Sequence, residues 1–280
     1  MTKQVILPEV STNAPSITMN ANNKLLLSWT GVGNDQLNFL TSENGQDFGR
    51  KVTLDERSTD TPAVAFLNGQ YYVAWTGVGN NQLNLLQSDD GVQWRKKVTL
   101  KETSHSAPAL VAVANTLYLS WRGVDNNQLN IIESIDGVSW ANKITLAETT
   151  TSAPALGTLG SVLFVGWRGV ENNQLNVIQR EVSSNQPYGK KVTLMETTTA
   201  NPNFTSVNNQ LVLAWQGVGN HQLNSIYSTD GQTFEGKQTV QGQTSYGAPA
   251  VVDFKGELFW SWTGTNPEHN INVAPNSAIN

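Results

Sequence analysis

The chain has 280 residues, with 17 Lys and Arg against 22 Asp and Glu, a net charge of -5 and 14% charged residues. That balance leaves no basic footprint, and phosphate recognition rests on clustered Lys and Arg, so nucleic acid is not an expected partner. The absence of cysteine rules out disulfides and thiolate metal sites. The opening residues MTKQVILPEV hold no apolar run of the signal-peptide kind, and no later segment approaches the ~20 apolar residues a membrane span needs. The expectation is a soluble protein without membrane insertion, cytoplasmic or released by a non-classical route.

In chain order, Lys3 to Leu7 reads KQVIL and is followed by PEVSTNAP, which matches KKVTL and KETSHSAP at Lys96 to Pro108. The chain therefore opens in the middle of a repeat. From Ala14 the first full unit runs through an apolar segment, a turn at Asn20 to Asn23, the strand-like KLLLSW, the loop GVGNDQ, the strand LNFLTS, the turn ENGQDF and a fourth strand, KVTL. Each segment has four to seven residues rich in Val, Ile, Leu, Phe, Tyr and Trp, bounded by Gly, Asn, Asp or Pro, which predicts four short antiparallel strands. The unit recurs. WTGVGNDQLN from Trp29 returns as WTGVGNNQLN from Trp75, WRGVDNNQLN from Trp121, WRGVENNQLN from Trp167 and WQGVGNHQLN from Trp215, with a looser WTGTNPEHNIN from Trp262. The tryptophans are 46, 46, 46, 48 and 47 residues apart. Four strands in that period is the size of a β-propeller blade.

Residues 1–280 are thus expected to form a single all-β domain, a six-bladed propeller of four-stranded antiparallel blades. The last repeat stops after its third strand, INVAP, and the N-terminus supplies the missing one. Residues 3–7 are predicted to complete the sixth blade and close the ring. The lysine pairs Lys96-Lys97 and Lys190-Lys191 open fourth strands, where charge protects a solvated outer edge from pairing with another sheet.

Between the third and fourth strands a second pattern recurs: SENGQDF from Ser42, SDDGVQW from Ser88, SIDGVSW from Ser134 and STDGQTF from Ser228. This S-x-D-x-G-x-x-W/F pattern resembles the Asp-box of sialidase-like propellers, with Asn44 replacing Asp in the first copy. The fourth repeat lacks it and reads REVSSNQPY from Arg180. Its chemistry is that of a hairpin clasp: Ser and Asp bond local backbone, Gly takes positive φ, and the aromatic fills a gap between blades. The resemblance implies that this motif lies opposite any active site, and the whole chain is most similar in type to the propeller lectins.

With strands lettered A to D from the axis outward, the A–B and C–D turns lie on one face and the B–C and D–A loops on the other. The A–B turns differ in every repeat (LNGQ, VANT, LGS), whereas the B–C loop and the D–A loop (ETSHSAP, ETTTSAP, ETTTANP) recur nearly unchanged. Loops ordinarily drift faster than strands, so this face is either a repeated site or a repeated packing solution. The residue types suit a sugar, whose hydroxyls meet amides and carboxylates while its C–H face packs on an aromatic or apolar wall. Candidate ligand residues are Trp29, Trp75, Trp121, Trp167, Trp215 and Trp262; Asn34, Asn80, Asn126, Asn172 and Asn220; and Gln36, Gln82, Gln128, Gln174 and Gln222. The D–A loops add Glu9, Glu56, Glu102, Glu148 and Glu196, with Gln243 at the sixth position, and Thr59, His105, Thr151 and Thr199. Each Trp is equally readable as a core plug, and each Glu as the partner of a lysine. Repeats three and four pair Arg122 with Asp125 and Arg168 with Glu171, as an ion pair or as a charged sugar clamp.

The resemblance also raises sialidase chemistry, which in that family needs three arginines on the substrate carboxylate, a tyrosine nucleophile with a glutamate partner, and an acidic aspartate. Of six arginines, Arg50, Arg95 and Arg180 fall near the clasp face, leaving Arg57, Arg122 and Arg168. No tyrosine has a recognisable catalytic setting, and near-identical loops do not make one unique centre. His105, His221 and His269 occupy unrelated repeat positions, so no metal site and no cofactor is expected. The sequence predicts a non-enzymatic, multivalent lectin for glycans or glycoconjugates on cell surfaces, with oligomerisation open. The alternatives are a protein-interaction scaffold and, after that, a glycoside hydrolase.

Overall fold

A computed structural model describes residues 3–184 and 186–280. Six four-stranded antiparallel sheets stand around an axis, each built from consecutive strands except the last, where the order runs from the N-terminal strand Val5–Val10 to Asn270–Pro275, Glu257–Thr263 and Ala250–Phe254. The first blade comprises Ser16–Met19, Leu25–Thr30, Gln36–Ser42 and Gly49–Arg57. Burial explains the sequence texture. Every residue of LLLSWT is buried, because a B strand has neighbouring blades on both faces, while GRKVTLDER alternates exposed and half-buried residues at the rim.

Closure follows the expected plan with shifted bounds. The closing strand spans Val5–Val10 rather than residues 3–7, pairing Val5 with Val273, Ile6 with Asn272 and Val10 with Asn270. The register slips between Ile6 and Val10, around Pro8, and an outermost strand tolerates a proline because one of its edges has no ladder to lose. The same slip occurs in the other outer strands. In blade one, Asn38 faces Thr53 but Gln36 faces Arg57, so Leu54 to Glu56 bulge from the ladder.

The core is divided into six clusters, one at each blade seam, and each contains the B-strand tryptophan of the following blade. Trp121, for example, packs with Ala74, Leu83 and Leu85 of the preceding blade. The clasp turns serve the same seams. Ser134 Oγ accepts from the Gly137 N–H at 2.8 Å, and Asp136 Oδ1 accepts from the N–H groups of Val138 and Ser139 at 2.8 and 2.7 Å. Gly137 has φ +71°, and a Cβ there would run into the Tyr72 ring of the neighbouring blade. The aromatics that end these motifs, Phe48, Trp94, Trp140 and Phe234, pack against the seam clusters.

Around the axis, the A strands line a cavity of ≈ 240 Å³, walled mainly by Ala, Pro, Val, Ser and Thr. A strands are sheet edges, and their free N–H groups are met by short polar side chains of the preceding blade. Val64 N–H donates to Ser16 Oγ at 3.3 Å, and Val251 N–H to Asn203 Oδ1 at 3.2 Å.

Deleting residues 1–10 removes the outer strand of blade six and opens the ring, so the thermal midpoint should fall sharply; an unchanged midpoint would contradict closure. Backbone N–H donors, first that of Ser139, hold the Asp136 carboxyl down to about 2, and the N–H of Thr233 acts likewise on Asp230. A depressed folded-state value means the clasp contributes fully above the ordinary carboxylate range and loses its contribution as pH falls through about 2. Urea midpoints measured from pH 5 to 2 should decline less in Asp136→Asn than in the parent chain.

Candidate functional site

The B–C and D–A loops share one face and are stitched together at every blade. Ser58 N–H donates to Asp35 O at 2.9 Å, Ser104 to Asn81 at 2.9 Å, Thr150 to Asn127 at 3.0 Å and Ser245 to His221 at 2.8 Å. A second bond carries the loop into the next blade, as from Thr59 N–H to Thr76 O at 3.1 Å. Each D–A loop therefore lies between the B–C loops of two blades.

Most of the B–C recurrence has a folding cause. A Cβ on Gly31 would lie 2.5 Å from Asn34 Oδ1 and 2.9 Å from Asn38 Nδ2, so two asparagine side chains demand the glycine. Asn34 Oδ1 accepts the Gln36 N–H at 3.1 Å and its Nδ2 donates to Gln36 Oε1 at 2.8 Å. Asn38 Nδ2 donates to Gln36 O at 2.9 Å, and its Oδ1 accepts the Thr53 hydroxyl at 2.6 Å. Asn80, Asn126, Asn172 and Asn220 repeat the Asn34 bonds to Gln82, Gln128, Gln174 and Gln222. Three of those glutamines also reach the outer strand, donating to Leu100 O, Leu146 O and Leu194 O at 3.1–3.3 Å. The candidate asparagines are exposed and the glutamines half-buried. The next position sits in the left-handed region, with φ 56–58° at Asp35, Asn81, Asn127, Asn173, His221 and His269, which suits Asn, Asp and His.

The tryptophans are corrected from candidate sugar platforms to seam plugs. Trp29, Trp75, Trp121, Trp167, Trp215 and Trp262 are each 1% exposed; the preceding blade packs against every one of them, and at four of the six a lysine covers the ring as well. Lys51, Lys97, Lys143 and Lys237 hold their ammonium groups 5.3–5.7 Å from the ring centroids of Trp29, Trp75, Trp121 and Trp215. Those four lysines, and Lys191 with them, are paired with the bulged glutamates of the preceding blade: Lys51 to Glu9 at 2.5 Å, Lys97 to Glu56 at 2.6 Å, Lys143 to Glu102 at 2.5 Å, Lys191 to Glu148 at 2.9 Å, and Lys237 to Glu196. The glutamates are therefore corrected as well: they bridge blades. At the seam of blades five and six, Gln243 and Gln4 exchange amide hydrogen bonds of 2.9 and 3.2 Å where the others carry an ion pair.

The arginines also differ from expectation. Among the described residues neither Arg122–Asp125 nor Arg168–Glu171 forms an ion pair. Both guanidiniums cross to the neighbouring D–A loop, Arg122 Nη1 donating to Thr151 O and Arg168 Nη1 to Thr199 O, each at 2.9 Å. Thr30, Thr76 and Thr263 make the equivalent crossing, their hydroxyls donating to Asp60 O, Ser106 O and Asn13 O at 2.7–2.8 Å. The acids replace glycines: Gly33, Gly79 and Gly219 have φ +79 to +88°, whereas Asp125 and Glu171 lie outside the left-handed region.

Within the D–A loops the first hydroxyl is structural, since Ser58, Ser104, Thr150 and Thr198 are fully buried. The next position is exposed and carries Thr59, His105, Thr151 and Thr199. Three features of this face escaped the sequence reading. Val32, Val78, Val170 and Val218, at the B–C loop tips, are 46–50% exposed. Tyr246 occupies the exposed D–A position at the blade five to six seam, 52% exposed, with its ring 4.4 Å from that of His269. Asp60 caps the N–H groups of Thr61 and Ala107 at 2.7 and 2.9 Å; burial pushes its carboxyl up, while those donors and Arg122 pull it down. Among the described residues no group of three His, Asp or Glu side chains is placed to hold a metal ion.

No family model and no curated protein matches the chain. Solved structures do match in shape. The Hadza microbial sialidase Hz136 aligns with a TM-score of 0.73 at 16% identity, over 96% of this chain and 66% of its own. A Trypanosoma rangeli sialidase mutant displaying trans-sialidase activity aligns at 0.69 and 14%, over 99% and 57%. An Aleuria aurantia lectin mutant in complex with Fucalpha1-6GlcNAc aligns at 0.71 and 10%, over 98% of both chains. The fold is a sialidase-like six-bladed propeller. The chain spans less than two thirds of those two sialidases and nearly all of the lectin, and at these identities the likeness is one of fold.

As a seam plug, Trp121→Ala should destabilise the protein by about 3–5 kcal/mol, the usual consequence of emptying a core aromatic site. Chemical denaturation checks this; a loss under ~1 kcal/mol would return Trp121 to the candidate ligand surface.

Proposed function

We propose that the protein is a non-enzymatic, multivalent carbohydrate-binding propeller, with weak sites repeated at blade seams on the B–C and D–A face. One observation carries this reading. In the recurring loop W-x-G-V-x-N-x-Q-L-N, the Trp, Gly, Asn, Gln and Leu positions serve burial or internal hydrogen bonds, whereas the valine is held half in water in four copies. The exposed half of a valine contributes nothing to the fold, and its return at one loop position on one face supports reading that position as a contact surface.

A valine beside an exposed hydroxyl and loop amides matches the two-sided character of a sugar: the C–H face packs on the apolar wall and the hydroxyl edge meets Thr59, Thr151, Thr199 or the exposed asparagines. At the blade five to six seam Tyr246 supplies a larger platform in place of the threonine. The sites are shallow, so affinity comes from number. Several sites held rigidly on one disc can raise apparent affinity by ~10²–10⁴ on a dense glycan surface.

Among the described residues, several groups that glycosidase chemistry would draw on are committed to the fold. Tyr71, Tyr72 and Tyr118 are buried, with burial pushing all three hydroxyls up. The D–A glutamates are engaged by lysines, and Asp60 by backbone N–H groups. The reading does not depend on the sialidase resemblance for its chemistry.

The test is binding of labelled protein to a broad glycan array, with free monosaccharides as competitors and a fluorogenic sialoside as a turnover control. Strong signal on one glycan class, competed by its monosaccharide and without turnover, is expected. Combining Val32→Asn, Val78→Asn, Val170→Asn and Val218→Asn should cost at least tenfold in avidity at an unchanged thermal midpoint. A blank array from folded protein would overturn the reading in favour of a protein partner, and turnover would overturn it in favour of an enzyme.

A further inference from the structure

The six seams are not chemically equal, and the difference is concentrated at Thr151. Four B strands end in Thr30, Thr76, Thr263 or Gln216, neutral residues that cross to the adjacent D–A loop. Blades three and four end in Arg122 and Arg168, and both guanidiniums converge on one residue. Arg122 donates to the Thr151 carbonyl, and Arg168 Nη2 donates to the Thr151 hydroxyl while its Nη1 holds Thr199 O.

The two cations lack ordinary compensation. Neither is within ion-pair distance of a carboxylate among the described residues, although Asp125 and Glu171 lie three residues away in the same loops and Asp60 is near Arg122. The Nε atoms of both side chains are buried with no hydrogen-bond partner. Burial and the charge of Arg122 pull the Arg168 guanidinium down, the mark of two like charges facing each other in a partly dry setting. The Nε groups are sealed inside, but the Nη ends lie at the surface with protons the loops do not take, and an anion seated between the two forks would offset the repulsion of the paired cations. The Thr151 hydroxyl, accepting from Arg168, has its own proton free to donate outward to the same group.

We propose that the Arg122, Thr151 and Arg168 cluster is a single anionic subsite that makes the seam of blades three and four selective for an acidic sugar unit, one bearing a carboxylate or a sulfate, while the other seams take neutral units. The inference rests on the carbohydrate-binding reading and adds a ligand class to one position. A rigid guanidinium fork matches either group through paired hydrogen bonds, and two forks fix its orientation over the threonine. In a protein of net charge -5, such a local positive pair favours an acidic terminus at this seam.

The experiment is an amide NMR titration of the full chain with methyl glucuronoside, glucose 6-sulfate, methyl glucoside and acetate. Tighter binding of one acidic sugar than of methyl glucoside by at least tenfold is expected, with shifts centred on Thr151 and weakening as salt rises. The stronger of the two acidic probes names the group. Arg122→Gln and Arg168→Gln should each remove about tenfold of that preference, and Arg168→Lys should restore part of it by keeping the charge. Circular dichroism establishes that the variants are folded. Equal binding of acidic and neutral sugars, or acidic binding that survives both Gln variants, would overturn the subsite while leaving the lectin reading in place. Acetate acting as strongly as the glucuronoside would overturn it as a sugar site. If no sugar binds here and the array is blank, the carbohydrate reading falls first and the subsite with it.

Discussion

The structure depends on closing a ring of flat wedges without leaving a gap between any two. A four-stranded blade cannot bury both of its faces alone, so every blade relies on the next, and the relation must hold six times over. The plug is the B-strand tryptophan, wholly enclosed at each seam. Over four of the rings lies a lysine whose ammonium group is also paired with a glutamate bulged out of the preceding blade. Magnitudes rank these contributions. Emptying a buried aromatic site costs about 3–5 kcal/mol, whereas an ion pair this open to solvent contributes ~1 kcal/mol or less, and a solvated ammonium group over a ring about as much. The indole fills the seam; the ion pair spans it between the outer strands and keeps that edge charged.

That division of labour is also what separates fold from function here. Glycine, asparagine, glutamine and tryptophan in the B–C loop are bound to one another and to the outer strand so completely that their recurrence needs no ligand. What remains for a ligand is what packing leaves unused: the loop-tip valines, the exposed D–A position that alternates among threonine, histidine and tyrosine, and the two arginines. A scaffold that recurs and a rim that varies is a sound basis for multivalent recognition, since equivalent positions can diverge in ligand preference without disturbing the seams.

Much of this architecture was legible in the sequence. The spacing of the tryptophans set the blade count, and the truncated last repeat with KQVIL at the start predicted closure, missing that the strand starts at Val5 and runs on past Pro8 to Val10. The face of the B–C and D–A loops followed from alternation alone. The role of the tryptophans did not, because a residue at the end of an apolar strand has the same sequence signature whether its ring faces a neighbouring blade or a ligand. The glutamates were legible in part. Glu56 and Lys97, Glu102 and Lys143, and Glu196 and Lys237 stand at one fixed offset, and the sixth seam replaces both partners at once, with Gln4 and Gln243. Changing one partner alone would have stranded a charge; changing both is the trace of a contact between repeats. The exposed valines were passed over because apolar residues in a repeat read as core, and the convergence of Arg122 and Arg168 on Thr151 links residues from two blades that no local pattern joins.

The most direct test of the account is to locate a bound sugar by amide NMR shift mapping, using whichever monosaccharide competes best for the protein. Perturbations clustered on the B–C loop tips and the exposed D–A positions, with the tryptophan indole resonances unmoved, are the predicted result. Perturbations confined to the axial cavity or to the clasp turns, or indole resonances that shift first, would contradict it.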